Sequence, residues 1–467
     1  MSLLIKSGLV VTAISSYKAD IFVENEKITA IGSDLCAEYE KRATQVIDAT
    51  GKYILPGAID PHTHIDMPCM GTRTTDDFTS GTIAACCGGI TSFIDFEHLE
   101  KGATIRGALE PRKVLAQKLS VIDYAFHIGI TEVNEAILSE IKDAILSYGT
   151  PSFKAYTTYA FRLDDQALIK LLEKVKEFGG IVQLHSETHS IIESLRERFD
   201  KEGRNSDLYC HALSRPAICE AEAVSRAVYF TKYADSQLYV VHLSSKEGLE
   251  VVTEAKKKGL KVIVETCPQY LVLNDDYLKK GWESAKYILS PALREKSSND
   301  ALWKGIADGI IQTIGSDHCP FNFHGIKDMN GKDDYRKVPG GAPGIETSLM
   351  LMHSEGVAKG KISLEKMVAV TSTNVAKIFG MEEKGEIAVG KDADIVIFDP
   401  KQKFTINYQK LHMKVDYNPF EGMEVTGMPY IVFSRGRKVA QWKNDHVEFV
   451  GKPGTGKFIH RKPFKTL

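Results

Sequence analysis

Length, composition and charge already narrow the functions open to this chain. Its 467 residues are 43% apolar and 26% charged, which is typical of a globular protein large enough for more than one domain. A formal net charge of -2 argues against a nucleic-acid partner, and no apolar run reaches the roughly 18 residues that a membrane span needs. Eight cysteines without Cys-x-x-Cys spacing, and a start without a signal-peptide pattern, predict a cytoplasmic protein with reduced thiols.

Both ends of the chain have the pattern of short strands separated by turns. This pattern runs from residue 1 to about 52 and resumes after about residue 384. Each segment alone has too few strands to bury a face, so the sequence predicts one small β-sandwich built from both ends. We therefore expect residues 1–55 to form the first part of the sandwich, 56–383 an inserted domain, and 384–467 the rest of the sandwich with a C-terminal tail.

The inserted region alternates short apolar runs with amphipathic stretches. One such stretch, 165–178, repeats apolar residues at helical spacing and ends at Gly179-Gly180. Eight alternations predict an α/β fold of the (β/α)8 TIM-barrel type, in which the chemistry takes place at the carboxyl ends of the strands. The eight predicted strands are 53–55, 89–95, 124–128, 152–156, 181–185, 238–242, 261–265 and 313–317.

Potential metal ligands fall at the carboxyl ends of several predicted strands. His62 and His64 follow the first run, and if that strand continues they lie on one face, about 7 Å apart. The other candidates, each at the end of a later run, are Lys154, His185, His242 and Asp317. Histidines grouped with a carboxylate are typical of a divalent-metal site, and these nitrogen and oxygen ligands leave zinc, cobalt and manganese open.

Six short stretches also carry the pattern of a known family. They are 56–64, 152–154, 211–216, 241–244, 290–294 and 316–320. Together they resemble the cyclic amidohydrolases of the dihydropyrimidinase and hydantoinase group, and among these most of all the bacterial D-hydantoinases and phenylhydantoinases. The resemblance implies a hydrolase that opens hydantoins or dihydropyrimidines to N-carbamoyl amino acids. It further implies two divalent metal ions, usually zinc, with a hydroxide between them. It also implies that the predicted β-sandwich domain exists and that homotetramers are common.

The same resemblance assigns a role to each of the six candidate ligands. It implies a binuclear centre in which one metal is held by His62, His64 and Asp317 and the other by His185 and His242. Lys154 is implied to bridge both metals, because CO2 addition converts its ammonium, which cannot ligate a cation, into an anionic carbamate. Without the other ligands, the simpler interpretation of Lys154 is a buried lysine paired with an acidic neighbour.

Two catalytic roles follow from the hydrolysis of an unactivated ring amide. Water at neutral pH is a poor nucleophile, and a metal supplies hydroxide beside the carbonyl carbon. Asp317 is placed to take the hydroxide proton and pass it to the leaving ring nitrogen. The hydroxyl of Tyr159, five residues past Lys154, is a candidate donor to the oxyanion, with ordinary aromatic packing as the alternative for this residue.

Recognition of the small cyclic imide is predicted from two further segments. In the family, main-chain groups near the residue matching Ser290 and near a Pro-Asn-Gly segment read the imide edge. Here that segment is Pro339-Gly340-Gly341, with Gly340 at the position of the Asn. A contact made by the backbone is still possible at Gly340, whereas a contact made by the Asn side chain is not. The loop 67–70 contains two methionines and a cysteine, and with Tyr156 it predicts a preference for 5-substituted hydantoins with bulky or aromatic groups.

Three rival functions share this fold. Dihydroorotases typically place an Arg two residues after the His-x-His pair to hold a carboxylate, and Asp66 at that position argues against an acidic substrate. An allantoinase remains open. Collapsin response mediator proteins resemble the fold but have lost metal ligands and act as non-enzymatic scaffolds, so the six filled ligand positions favour an enzyme.

Overall fold

The computed structural model describes residues 2–464, without the side chain of Asn330. Within this range the strands form an eight-stranded parallel sheet, a nine-stranded mixed sheet and one small hairpin, Pro68–Cys69 with Thr72–Arg73. No helix in the same range is long and apolar enough to cross a membrane.

In the described part of the chain, eight parallel strands pair in chain order and form the predicted barrel. They are Ala58–Thr63, Ile90–His98, Asp123–Gly129, Ser152–Tyr156, Ile181–His185, Leu238–Val240, Val262–Thr266 and Thr313–Ile314. The ring closes just after the last strand, where Thr63 and His318 form a parallel β-bridge. The His64 amide donates to the His318 carbonyl at 2.8 Å and continues this contact. The TIM-barrel prediction is therefore confirmed.

The first barrel strand is not the run predicted from the sequence. Tyr53–Pro56 belongs to the mixed sheet, and the barrel strand is Ala58–Thr63. The chain passes from one sheet to the other at Gly57, where a Cβ would lie 2.0 Å from Thr91 Oγ1. The barrel strand has a weak local pattern because it is buried along its whole length and contains Pro61, which lacks an N–H.

Strands from both chain ends form the mixed sheet, as predicted. Within residues 2–464 its nine strands are Ser2–Val11, Ser16–Glu24, Lys27–Gly32, Gln45–Asp48, Tyr53–Pro56, Ile395–Thr405, Glu424–Ser434, Arg437–Lys443 and His446–Phe449. The two halves join where Tyr53–Pro56 pairs antiparallel with Ile395–Thr405 and parallel with Ser2–Val11. Buried side chains from both ends, such as Ile21 and Phe433, share one hydrophobic cluster, so the sheet folds over a core of its own.

Helices cover the outside of the barrel between successive strands. The longer ones are Phe78–Cys87, Ile105–Leu119, Glu135–Leu146, Asp165–Glu177, His189–Lys201, Ala217–Ala234, Lys246–Lys257 and Lys296–Ala307. Asp165–Glu177 shows why these segments fold, since Asp164 accepts the Ala167 amide at 2.7 Å and the predicted apolar face is buried. Shorter helices are Cys36–Tyr39, Cys210–Leu213, Pro268–Val272, Asp328–Gly331, Ser348–Leu351, Leu364–Val368 and Asn374–Ile378.

A buried cluster of charges joins the amino end of the barrel to the mixed sheet. The Lys384 ammonium lies 2.6 Å from Asp123, 2.9 Å from Asp392 and 2.7 Å from Asp394. Arg435, in a turn of the mixed sheet, also contacts Asp123 at 2.9 Å. Burial would lower the pKa of Lys384, but the three carboxylates outweigh it and raise that pKa. The cluster is therefore an ion-pair network in which Lys384 keeps its positive charge.

The segment 456–464 lies against the amino ends of the barrel strands. The Ile459 amide donates to the Tyr124 carbonyl at 2.7 Å, at the start of the third barrel strand. The Phe464 amide donates to the Gly179 carbonyl at 2.7 Å, just before the fifth strand. This segment thus covers the end of the barrel opposite to the predicted ligands.

Candidate active site

The carboxyl ends of the barrel strands bring together all six predicted ligands. They are His62 in the first strand, His64 just after it, Lys154 in the fourth, His185 at the end of the fifth, His242 after the sixth and Asp317 after the eighth. All six side chains are buried or nearly so.

Asp317 lies between the two histidines of the first strand. Its Oδ1 is 3.2 Å from Nε2 of His62 and 3.2 Å from Nε2 of His64. Burial would raise the pKa of Asp317, but the two histidine rings outweigh this effect and lower it. The carboxylate is therefore held in its ionised form, which is the form that ligates a cation or accepts a proton.

His185 and His242 form a second pair beside the first. Nδ1 of His185 lies 2.9 Å from Nε2 of His242, and the centre of the His242 ring lies 5.4 Å from that of His62. Ligand atoms of His62, His242 and Asp317 all lie within 4.8 Å of one another. The pair His62 and His64 and the pair His185 and His242 thus form, with Asp317, one cluster of potential metal ligands.

Ring nitrogens without partners show that this cluster fits a divalent cation. Among the described residues, His64 Nδ1 and His242 Nδ1 are buried and have no hydrogen-bond partner, and His62 Nε2 forms no hydrogen bond although Asp317 Oδ1 lies 3.2 Å away. Burial lowers the pKa of His62 and His242 well below the ordinary value, and the nearby Lys154 lowers it further, while Asp317 acts in the opposite direction on His62. Neutral rings offer lone pairs, and unpaired buried polar atoms are costly, so a bound cation would supply the partner they lack.

Lys154 is buried without a carboxylate partner. It is 1% exposed, and among residues 2–464 its side chain forms no hydrogen bond or ion pair. Its Nζ lies 4.9 Å from the centre of the Phe96 ring and 5.4 Å from that of Tyr156. Burial lowers the pKa of Lys154 to about 8, although Asp317 and Glu265 act in the opposite direction. The paired-lysine interpretation therefore finds no support in the structure.

Two buried glutamates that the sequence did not single out hold the histidines in place. Oε1 of Glu265 lies 2.6 Å from His62 Nδ1, and Oε2 of Glu187 lies 2.7 Å from His185 Nε2. Burial raises the pKa of Glu265 to about 7. Burial also opposes ionisation of Glu187, but Arg215 and His185 outweigh it and lower its pKa to about 2. Carboxylates that bind the second nitrogen of a histidine fix the orientation of the ring.

The backbone is strained at three of the candidate residues. Tyr159, His242 and Asp317 have φ values of 77°, 37° and 51°, in the left-handed region that favours glycine. Such conformations persist only where the surrounding structure enforces them, and they cluster at functional sites. Their position at one end of the barrel marks the same site as the ligands.

The three predicted substrate-binding residues lie together at this site. Tyr159 follows the fourth strand, and the centre of its ring lies 5.1 Å from that of His185. Burial raises the pKa of Tyr159 to about 12, although Arg215 and a hydrogen bond with Ser290 act in the opposite direction, so the phenol keeps its proton. A Cβ built on Gly340 would lie 3.9 Å from Ser290 Oγ, which places these two loops side by side.

Apolar side chains surround Tyr159 and the loop after the first strand. The Phe161 ring lies 5.0 Å from that of Tyr156 and 5.5 Å from that of Tyr159, and Phe161 is 42% exposed. Met70, in the hairpin that follows His64, is 54% exposed. The sequence did not assign Phe161 to the pocket, since nothing in its immediate neighbourhood separates it from ordinary aromatic packing.

Comparison with known proteins agrees with this geometry. The model of the Amidohydrolase family matches residues 53–439. A D-hydantoinase of Geobacillus stearothermophilus is 46% identical over an alignment of 471 positions, which covers 100% of this chain and 98% of that protein. A D-phenylhydantoinase of Escherichia coli is 39% identical over an alignment of 467 positions, which covers 99% of each chain. The crystal structure of a dihydropyrimidinase from Brevibacillus agri matches with a TM-score of 0.95 and 46% identity, covering 100% of both chains.

These matches extend over the whole chain, well beyond the six short stretches that first indicated the resemblance. They confirm both the predicted relationship to the hydantoinase and dihydropyrimidinase group and the barrel fold. The chain belongs to the amidohydrolase family.

Proposed function

We propose that this chain hydrolyses the cyclic amide bond of hydantoins or dihydropyrimidines and releases N-carbamoyl amino acids. The observation with the greatest weight is the convergence of four histidines, a lysine and an aspartate at the carboxyl end of the barrel. Relatives named D-hydantoinase and D-phenylhydantoinase over their full length support the same activity. A non-enzymatic scaffold would have no need for this complete set of ligands.

The metal centre in this proposal contains two divalent cations, with zinc as the preferred metal. His62, His64 and Asp317 would hold one cation, His185 and His242 would hold the other, and carboxylated Lys154 would supply oxygen ligands to both. For this role the neutral amine of Lys154 attacks the carbon of CO2, an N–C bond forms and one amine proton is lost. The lowered pKa of Lys154 and its lack of an ion pair favour this reaction, because only the unprotonated amine is a nucleophile.

The residues around the centre divide the work of hydrolysis. When bound, the cations lower the pKa of water towards about 7 and polarise the ring carbonyl. Asp317 accepts the proton of the attacking water and delivers it to the ring nitrogen as the C–N bond breaks. Tyr159 donates its phenolic hydrogen to the oxyanion, a role supported by the high pKa that keeps the phenol protonated.

Substrate recognition in this proposal uses both sides of the site. Main-chain groups near Ser290 and Gly340 bind the imide edge of the ring. Because the backbone makes this contact, the absence of the Asn side chain does not affect it. The exposed apolar side chains of Phe161 and Met70 contact the substituent at position 5. We therefore expect a preference for hydantoins with bulky or aromatic substituents.

We further propose a homotetramer that works in the cytoplasm. Self-association is supported by three large side chains on one face of the helix Ala217–Ala234. Ile218, Tyr229 and Tyr233 are 57%, 67% and 72% exposed, and exposed apolar stripes of this kind are typical of contact surfaces.

A substrate panel with metal analysis tests the activity. Protein loaded with zinc, cobalt or manganese is assayed with benzylhydantoin, phenylhydantoin, dihydrouracil and allantoin, and its metal content is measured. We expect about two metal ions per chain and the fastest turnover with the aromatic hydantoins. A strong preference for dihydrouracil or allantoin would contradict the predicted specificity, and a metal-free, inactive protein would favour the scaffold role.

A further inference from the structure

Lys327 is a buried lysine to which the proposed reaction gives no role. It is 0% exposed and ends the segment Phe323–Lys327, which follows the last barrel strand. In the part of the chain that the structure describes, Lys327 forms no ion pair with a carboxylate. A buried ammonium without a counter-charge is costly unless all of its N–H groups are hydrogen-bonded. The identity of its acceptors therefore shows what this lysine does.

All acceptors of Lys327 are main-chain carbonyls from two loops. Its Nζ lies 3.3 Å from the oxygen of Ile288, 2.9 Å from that of Pro339 and 3.0 Å from that of Gly341. An ammonium has three N–H donors, so these three contacts use its whole capacity. The lysine connects segments that lie about fifty residues apart in the chain.

The two connected loops carry the residues proposed to bind the imide edge. Ser290 follows Ile288 by two positions, and Gly340 lies between the two carbonyls that Lys327 binds in the other loop. The Gly341 amide also donates to the Ile288 carbonyl at 3.0 Å. Peptide groups on both sides of Gly340 are therefore fixed in orientation, and their distance from Ser290 is fixed with them.

The segment that carries Lys327 is itself held in place. One carboxylate, that of Asp416, accepts the Phe323 amide at 2.7 Å and the His324 amide at 2.9 Å. The Lys327 amide donates to the Asn322 carbonyl at 3.1 Å. The lysine thus extends from a fixed base, so its ammonium is a defined reference point for both loops.

We propose that Lys327 is a positioning residue for substrate, which sets the main-chain groups around Ser290 and Gly340 at the spacing that the imide edge of the ring requires. This inference rests on the proposed function. Among the described residues, the hydrogen-bond acceptors of the Lys327 ammonium are main-chain carbonyls of the two loops and not the candidate metal ligands, so it acts on substrate binding through these loops. Since every cyclic imide presents the same edge, the effect is independent of the substituent at position 5.

The experiment compares Lys327→Met, which keeps the volume but has no donor, with Lys327→Gln, which keeps two N–H donors. Steady-state kinetics are measured with unsubstituted hydantoin and with benzylhydantoin, together with metal content and melting temperature. For Lys327→Met we expect KM to rise about tenfold for both substrates, with kcat within about threefold of the wild type. Lys327→Gln should give a smaller rise in KM, and metal content should stay unchanged.

Lys384→Met is the matched control, because Lys384 is equally buried but lies at the opposite end of the barrel. It should lose stability with KM unchanged. A folded Lys327→Met protein with wild-type KM, or a rise in KM for only one substrate, would overturn the inference. If Lys327→Met does not fold, Lys327→Gln decides by the same criterion, and failure of both variants to fold would show that the lysine serves stability alone. A wild-type protein inactive on every cyclic substrate would instead refute the proposed function.

Discussion

Two buried lysines, at opposite ends of the barrel, have opposite surroundings. Lys384, between the barrel and the mixed sheet, contacts three carboxylates at 2.6 to 2.9 Å, which raise its pKa. Lys154, among the candidate ligands, has no carboxylate within ion-pair distance, and burial lowers its pKa to about 8. The fold stabilises the first lysine as a cation, whereas burial makes the second easier to deprotonate.

The two lysines are almost equally buried, so the carboxylate partners of a buried lysine, and not its burial, distinguish a structural lysine from a reactive one. Both side chains are almost inaccessible, with exposures of 4% for Lys384 and 1% for Lys154. A structural lysine offsets its desolvation with nearby anions, and removing it leaves those anions uncompensated. Replacing a lysine that has no carboxylate partner costs the protein little stability. Such a lysine is, however, free to react as a nucleophile.

The largest expected effect is on activity, from Lys154→Ala. We expect turnover of hydantoins to fall by more than about a thousandfold, because the bridge between the two cations is lost. Addition of acetate or propionate should restore part of the rate, since a small carboxylate can occupy the position of the carbamate. The melting temperature should change little. A variant with the full rate would show that Lys154 has no catalytic role.

The second expected effect is on stability, from Lys384→Met. The change removes the cation that Asp123, Asp392 and Asp394 share, although Arg435 still contacts Asp123 and Lys27 still contacts Asp392, and breaking a buried pair costs about 3–5 kcal/mol. Urea denaturation measures the free energy of unfolding, and kcat of the folded protein should be unchanged. A loss below about 1 kcal/mol would contradict the structural role of this cluster.

The smallest expected effect is a pH dependence of stability that comes from Lys154, and not from Lys384, between pH 8 and 9.5. In metal-free and CO2-free protein, folded Lys154 releases its proton near pH 8, whereas the unfolded lysine keeps it until about pH 10.5. The unfolded state therefore binds more protons in this window, and the free energy of unfolding should rise by about 1 to 2 kcal/mol between pH 8 and 9.5.

Lys384 contributes no slope between pH 8 and 9.5, since its raised pKa keeps its stabilising contribution complete below pH 10.5 and reduces it only above that value. The matched measurement uses Lys154→Met, in which the rise should disappear, and Lys384→Met, in which it should persist. An identical slope in the wild type and in Lys154→Met would contradict the assigned state of Lys154.

Much of the barrel and the ligand cluster could be predicted from sequence because each ligand follows a recognisable strand. Parallel strands of a barrel end at one face, so His185, His242 and Asp317 had to approach each other although they are far apart in the chain. The same logic did not locate the first strand. Tyr53–Pro56 and Ala58–Thr63 are both extended and buried, and only long-range pairing decides which sheet each one joins.

The residues that support the site were not predictable because their partners are distant. Glu265 ends a predicted strand and Glu187 follows His185 by two residues, so position alone could have marked both as candidates. Their contacts with histidine rings, however, exist only in the folded barrel. Lys327 gives no local signal at all, since its three acceptors belong to loops that come together only in the tertiary structure.

The segment 456–464 also has a consequence for how the protein is made. Its hydrogen bonds to Tyr124 and Gly179 connect residues separated by about three hundred positions. During synthesis the ribosome releases these early strands long before the segment that covers them. The amino end of the barrel can therefore be covered only once translation has reached the last residues of this segment.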